Sequence, residues 1–222
     1  MSRFAHAVFG LLAASASAQA GITLNATLTN AQENPPTTPT TSTGAPRPAS
    51  FGTATFFIND AMTSMTFSAT VFNIDFTGSQ TADTFDNLVA AHIHAGPTAV
   101  PGSNAPVVWG FFGTPFNDNN PNDVVITPFA TGVGGTISGK WDPPEGNGTT
   151  FAAQLNNILS GLSYINFHTV QFGGGEIRGR ILAVAAVPEP GTYALMLAGF
   201  GALGGWARRR ARRSPVAPST AD

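Results

Sequence analysis

The stretch Ile22-Thr23-Leu24-Asn25-Ala26-Thr27-Leu28-Thr29 decides the fold. Its apolar and polar residues alternate with a period of two, which gives an extended chain one apolar side and one polar side. A helix would need apolar residues three and four apart, so the stretch predicts a strand with one buried face. Further runs rich in Val, Ile, Thr and Phe follow at Gly52–Asn59, Ser64–Ile74, Leu88–His94, Pro106–Phe112, Val124–Phe129, Thr136–Trp141, Leu162–Thr169 and Glu176–Val184. Gly, Pro and Asn separate them, and many short strands broken in this way predict an all-β antiparallel sandwich or barrel. The Pro- and Thr-rich residues 34–50 read as a long surface loop. One interruption is helical: Thr149 or Thr150 can cap a short helix whose Phe151, Leu155, Ile158 and Leu159 share a face and which stops at Gly161. That helix is expected to cover one end of the domain.

The chain has 222 residues and no cysteine, so disulfides and thiolate metal sites are excluded. Between Gly21 and Val187 stand four basic residues against ten acidic ones. A nucleic-acid binder needs a basic footprint to displace counterions from phosphates, so this balance argues against such a partner.

Both ends read differently from the middle. Residues 1–20 carry Arg3, an apolar run from Phe4 to Ala16, and Ala18-Gln19-Ala20, a small-x-small pattern that predicts a signal helix cleaved before Gly21. Near the other end, Pro188-Glu189-Pro190 precedes an apolar run over 191–206 and then the cluster Arg208, Arg209, Arg210, Arg212 and Arg213. Sixteen residues at about 1.5 Å each reach about 24 Å against a hydrocarbon core of about 30 Å, a gap that snorkelling side chains can close. The run is therefore expected to be a transmembrane helix with its arginines held on the cytoplasmic side, followed by a disordered tail at 214–222.

The order Val187-Pro188-Glu189-Pro190-Gly191-Thr192, apolar helix, Arg208-Arg209-Arg210 resembles the PEP-CTERM sorting signal of Gram-negative bacteria. The resemblance implies an exported precursor anchored in the inner membrane. An exosortase-type membrane protease would process it at or near the Pro-Glu-Pro and pass it to the cell surface or extracellular matrix. A plain C-terminal anchor is the alternative.

Three histidines follow the signal segment: His92 and His94 in Ala91-His92-Ile93-His94-Ala95-Gly96-Pro97, and His168 in Tyr164-Ile165-Asn166-Phe167-His168-Thr169. Residues two apart on a strand project to one face, so His92 and His94 point together while Val89, Ala91 and Ile93 face the other way. A hairpin turning through Gln171–Gly175 would bring His168 near Glu176, and Asn166 near Arg178. Three imidazoles suffice for a zinc or copper centre with an open position. Alternatively, they hydrogen-bond across strands with Asn166, Glu176 and backbone groups. Glu176 and Arg178 read mainly as pairing partners, with Glu176 also an acceptor that could orient an imidazole. Phe111, Phe112 and Phe116 are either a contact surface or core or loop packing.

Ala31-Gln32-Glu33-Asn34-Pro35-Pro36, the Ala-His-Ile-His-Ala-Gly-Pro stretch, and Asn166-Phe167-His168-Thr169 followed by Gly175-Glu176-Ile177-Arg178-Gly179 together resemble the CHRD domain. The resemblance spans 22–183 and implies an immunoglobulin-like β-sandwich with no established enzymatic activity. The His-x-His strand is also similar to that of copper-zinc superoxide dismutase, but a bimetallic site of that kind needs more histidines than this chain has. No nucleophile elbow, phosphate loop or His-Glu-x-x-His helix is present. The expectation is an exported, non-enzymatic cell-surface or matrix module meeting an exosortase, the membrane, and exopolysaccharide or another matrix component. The alternative is a metal-binding or redox protein centred on His92, His94 and His168.

Overall fold

The structure, a computed structural model, describes residues 21–184 and 190–211. The expected signal segment with Ala18 and Ala20, the sorting residues Pro188 and Glu189, and the tail lie outside the described residues. The chain divides into two compact units, one ending at Val184 and one starting at Ala185.

The first unit is an antiparallel β domain. Its strands are β1 Ile22–Thr29, β2 Phe51–Ile58, β3 Met65–Phe72, β4 Leu88–Ala95, β5 Val107–Phe112, β6 Val125–Pro128, β7 Gly134–Trp141, β8 Ser163–Thr169, β9 Ile177–Arg180 and β10 Leu182–Ala183. Nine of them run in the order β5-β4-β8-β9-β1-β2-β3-β7-β6, and β10 pairs with β1. The expected last strand over 176–184 is thus two short pieces on either side of the fully buried Ile181.

Alternation sets the buried face. Leu24, Ala26 and Leu28 point inward from β1, opposite Phe56, Ala54 and Gly52 of β2. The sheet curls because aromatic side chains from strands far apart in its order meet. Phe67 of β3 packs against Phe111 of β5 at 4.5 Å and edge-on against Trp109 at 5.7 Å. Trp109 in turn stacks on Trp141 of β7 with centroids 5.6 Å apart and planes 4° from parallel. Such contacts add to the area that large rings already bury. Phe111 is therefore core, Phe112 is half-buried against it, and Phe116 is exposed.

A bulge between Leu88 and Ala90 breaks the β4–β8 register. Ala91 and Ile93 consequently face the core as expected, whereas Val89 turns out to solvent. Helix α1, Phe151–Leu159, starts where Thr150 Oγ1 accepts a hydrogen bond from the Ala153 amide, and it buries Phe151 and Ile158 in the core.

The loop at 34–50 is pinned from inside. Its Arg47 donates to the fully buried Glu176 carboxylate, which also accepts from Ser50 Oγ and, at 2.6 Å, from Thr169 Oγ1. Arg47 further donates to Thr40 O, Asn73 O and Gln171 Oε1.

In the second unit, helix α2 covers Pro190–Ala211, and its Leu195, Leu197, Phe200 and Leu203 are exposed. Among the described residues no helix is long and apolar enough to cross a membrane. This corrects the expected transmembrane helix over 191–206: the helix forms, but Gly191, Gly199, Gly201, Gly204 and Gly205 dilute its apolar run before the arginines end it. Arg208, Arg209 and Arg210 sit in its last turn, where cations complement the helix dipole.

Replacing Glu176 with alanine strands a buried guanidinium. The Glu176→Ala protein should lose about 3–5 kcal/mol in denaturant unfolding. A loss under about 1 kcal/mol would show that Arg47 and Glu176 do not hold the loop.

Candidate metal centre

The three histidines come together because β4 and β8 are neighbours. His92 pairs in register with Asn166, His94 with Tyr164, and Ala90 with His168. On the other side of β4, the register to β5 shifts between Ala91 and His92 and again between Ile93 and His94. These irregularities flank the His-x-His stretch, and bulges of this kind re-aim side chains.

Each imidazole is fixed by a backbone carbonyl. His92 Nε2 lies 3.1 Å from Thr114 O, His94 Nδ1 lies 2.8 Å from Ala105 O, and His168 Nδ1 lies 3.0 Å from Gly173 O. A carbonyl oxygen only accepts, so the nitrogen facing it carries the proton. The lone pairs are thereby assigned to His92 Nδ1, His94 Nε2 and His168 Nε2. One ring nitrogen from each histidine lies within 4.8 Å of the other two. His92 Nδ1 and His168 Nε2 stand 3.1 Å apart, and the buried His94 Nε2 has no hydrogen-bond partner.

Two lone pairs aimed at each other repel unless a cation lies between them. For metal–nitrogen bonds of about 2.0–2.1 Å in a tetrahedron, ligand nitrogens sit about 3.3 Å apart, close to the observed separation. Protonation does not resolve the contact. Burial, followed by the charges of His168 and His94, lowers the His92 pKa to about 3. Burial lowers His94 to about 4 and also lowers His168. All three are therefore neutral near pH 7, the form that ligates metal.

The approach of the 113–116 loop depends on glycine. A Cβ on Gly110 would fall 1.8 Å from Pro115 O, and one on Gly113, where φ is +68°, would fall 2.1 Å from Val89 O. Only glycine lets this loop lie close enough to β4 to present Thr114 O to His92.

Around the imidazoles, Tyr164 stacks on His94 with centroids 4.6 Å apart. The Arg178 guanidinium lies 4.7 Å from the centre of the same tyrosine ring. Arg178 donates to Gln32 O, Ser103 O and Asn104 Oδ1, and its Nε is 3.9 Å from Glu33. Burial outweighs that cation and raises Glu33 to about 7. Asn166 stands between His92 and Arg178 in register, with its Oδ1 buried and unpartnered.

Of the site residues expected from sequence, His92, His94 and His168 share one cluster, with Asn166 and Arg178 beside it. Glu176 turns away, binding Arg47, Ser50 and Thr169. The carbonyl anchors at Ala105, Thr114 and Gly173 leave no trace in side-chain chemistry. Glu33, by contrast, belongs to the Ala-Gln-Glu-Asn-Pro-Pro stretch singled out above.

Residues 24–181, which hold all three histidines, match the family model of the CHRD domain. The chain belongs to the CHRD domain family. Residues 186–213 match the PEP-CTERM protein-sorting motif, which implies export through the Gram-negative envelope and processing by an exosortase-type membrane enzyme. Neither a curated protein nor a solved structure matches the chain. The sorting match overlaps α2, whereas the candidate metal centre lies wholly within the CHRD domain.

The lowered imidazole pKa values fix a pH dependence. Below pH 6.5 the unfolded chain takes up protons that the folded histidines refuse, so the metal-free protein loses stability as pH falls from about 6.5 toward 4. Glu33, raised to about 7, Asp118, raised to about 6, and Asp86, also raised, act in the opposite sense. Replacing His94 with glutamine should therefore flatten the acid side of a stability profile measured by denaturant unfolding from pH 7 to pH 4.5. An unchanged slope would mean that His94 is not buried neutral.

Proposed function

We propose that this protein is an exported, non-enzymatic surface or matrix module whose CHRD domain binds one transition-metal ion, zinc or copper. The ligands are His92 Nδ1, His94 Nε2 and His168 Nε2. The observation that carries the reading is the convergence of three unprotonated nitrogens, each with its sister nitrogen tied to a carbonyl. A hydrogen-bonded cluster without metal accounts for it less well, because the His92–His168 contact then has no proton to share. Three neutral nitrogen donors suit either ion, and a fourth position would be left for a small ligand. A binding role is favoured over catalysis because the nitrogens not facing the metal are occupied by carbonyls, which leaves no imidazole for acid–base work.

The chemistry of the site is compatible with the destination that the sorting motif implies, since an all-imidazole donor set needs no reducing compartment. Processing near Pro188-Glu189-Pro190 would separate the CHRD domain from α2 and deliver it to the cell surface or matrix.

Elemental analysis of the purified chain after equilibration with zinc or copper and exhaustive dialysis should give about one ion per chain. The ion should be lost in His94→Ala and His168→Ala, and at free metal 100 times its Kd the folded state should gain about 2.7 kcal/mol. A folded wild-type chain without stoichiometric metal, or equal content in the variants, would overturn the reading. Separately, replacing Pro188, Glu189 and Pro190 with alanines should leave a larger product with α2 still attached. Identical size of variant and wild type would exclude processing there.

A further inference from the structure

The outward side of β1, β2, β3, β7 and β6 carries a pattern that the metal centre does not use. The strand registers align Thr27 with Thr53, Thr53 with Thr70, Thr70 with Thr136, and Thr136 with Thr127. One unbroken row of threonines therefore crosses five strands. The adjacent row reads Asn25, Thr55, Ser68, Ser138 and Val125. Aromatic residues bound these rows on both sides. Phe51 and Phe72, 48% and 37% exposed, stack at 4.8 Å on one side, and Phe57, 44% exposed, stands on the other. Phe129 extends the first aromatic group, 5.0 Å from Phe72.

At about 3.3 Å per residue and about 4.8 Å per strand, the face measures about 20 Å by 19 Å. The two rows themselves carry no charged residue; at their edges Lys140 pairs with Asp142, Asp123 lines a shallow cleft with Ser138 and Lys140, and Arg180 lines another with Asn25 and Thr27. Two positive and two negative groups leave the face near neutral on an anionic domain.

We infer that this threonine face binds a neutral polysaccharide. Charge and chemistry together select the occupant. The charges at the edges of the face are few and mixed in sign, so neither a polyanion nor a polycation meets a field of opposite charge. Protein interfaces place their apolar residues at the centre and polar ones at the rim. Here the order is reversed, with hydroxyls in the centre and aromatics outside. A lipid surface would require the central hydroxyl rows to lose water without replacement partners. Sugar rings offer both complements: hydroxyls that donate to and accept from Thr and Ser, and C–H faces that lie against exposed phenyl rings. Regular spacing on a hydrogen-bonded sheet presents those groups already ordered, which lowers the entropic cost of binding an extended polymer. The inference rests on the export reading for where such a polymer would be met, and it is independent of the metal.

Binding of the full chain to insoluble cellulose and to a soluble neutral β-glucan, by pull-down and affinity electrophoresis, tests it, with anionic alginate as the contrast. Retention by the neutral glucans, insensitive to salt and absent with alginate, is expected. Phe51→Ala with Phe72→Ala should weaken it about ten-fold, a size in line with the loss of one or two aromatic contacts. Thr53→Val with Thr70→Val and Thr136→Val removes hydroxyls, keeps β-branched shape and fold, and should weaken it as well. Metal content and thermal stability of the valine variant should stay at wild-type values, so failure here is distinguishable from failure of the metal reading. No retention on either glucan, equal retention by the valine variant, preference for alginate, or affinity for ice crystals without glucan binding would each overturn the inference.

Discussion

Closure of the sheet rests on the aromatic contact between its two ends. Phe67, Trp109, Phe111 and Trp141 come from β3, β5 and β7, and they hold together a chain that has no disulfide to do so. Below this stack, the buried Glu145 carboxylate accepts from Trp109 Nε1, from the Asp142 amide, and from the amides of Asn119 and Asn120. Trp141 Nε1 donates to the backbone oxygen of the same residue. The polar edges of both indoles are therefore satisfied, so the rings can be buried without stranding their N–H groups. Once the sheet has curled, β4 and β8 are placed with their core side sealed, and the histidines occupy the remaining side.

Much of this architecture was legible in sequence because alternation is a local property. The Ile22–Thr29 pattern, the eight further runs and the Thr150-capped helix correspond to observed elements with small shifts at their ends. The facing of Asn166 and Arg178 was legible as well, because a short turn leaves little freedom in register. The bulge before Ala90 was not, since a bulge is a backbone choice that only the neighbouring strand reveals. Nor did apolarity alone settle α2, because a run of small residues reads as continuous while its glycines contribute almost no hydrophobic surface.

At the candidate site, the side chains were visible and their orientation was not. His92, His94 and His168 could be named from a two-residue spacing and a polar strand face. The direction of each lone pair follows from carbonyls at Ala105, Thr114 and Gly173, positions whose side chains carry no relevant chemistry. Glu176 illustrates the converse. A symmetric hairpin would place it beside His168, but the long loop brings a guanidinium that no local pattern pairs with it, and the stronger partner captures the carboxylate.

The use of main-chain oxygens to aim the imidazoles has a consequence for how this family can vary. Any residue at 105, 114 or 173 supplies the same carbonyl, so substitutions there leave the histidines aimed. An insertion or deletion in any of the three loops would withdraw that oxygen and free a ring to rotate. The lengths of these connections therefore matter to the aim of the rings, whereas their letters do not. Orientation is written there in spacing rather than in residue type.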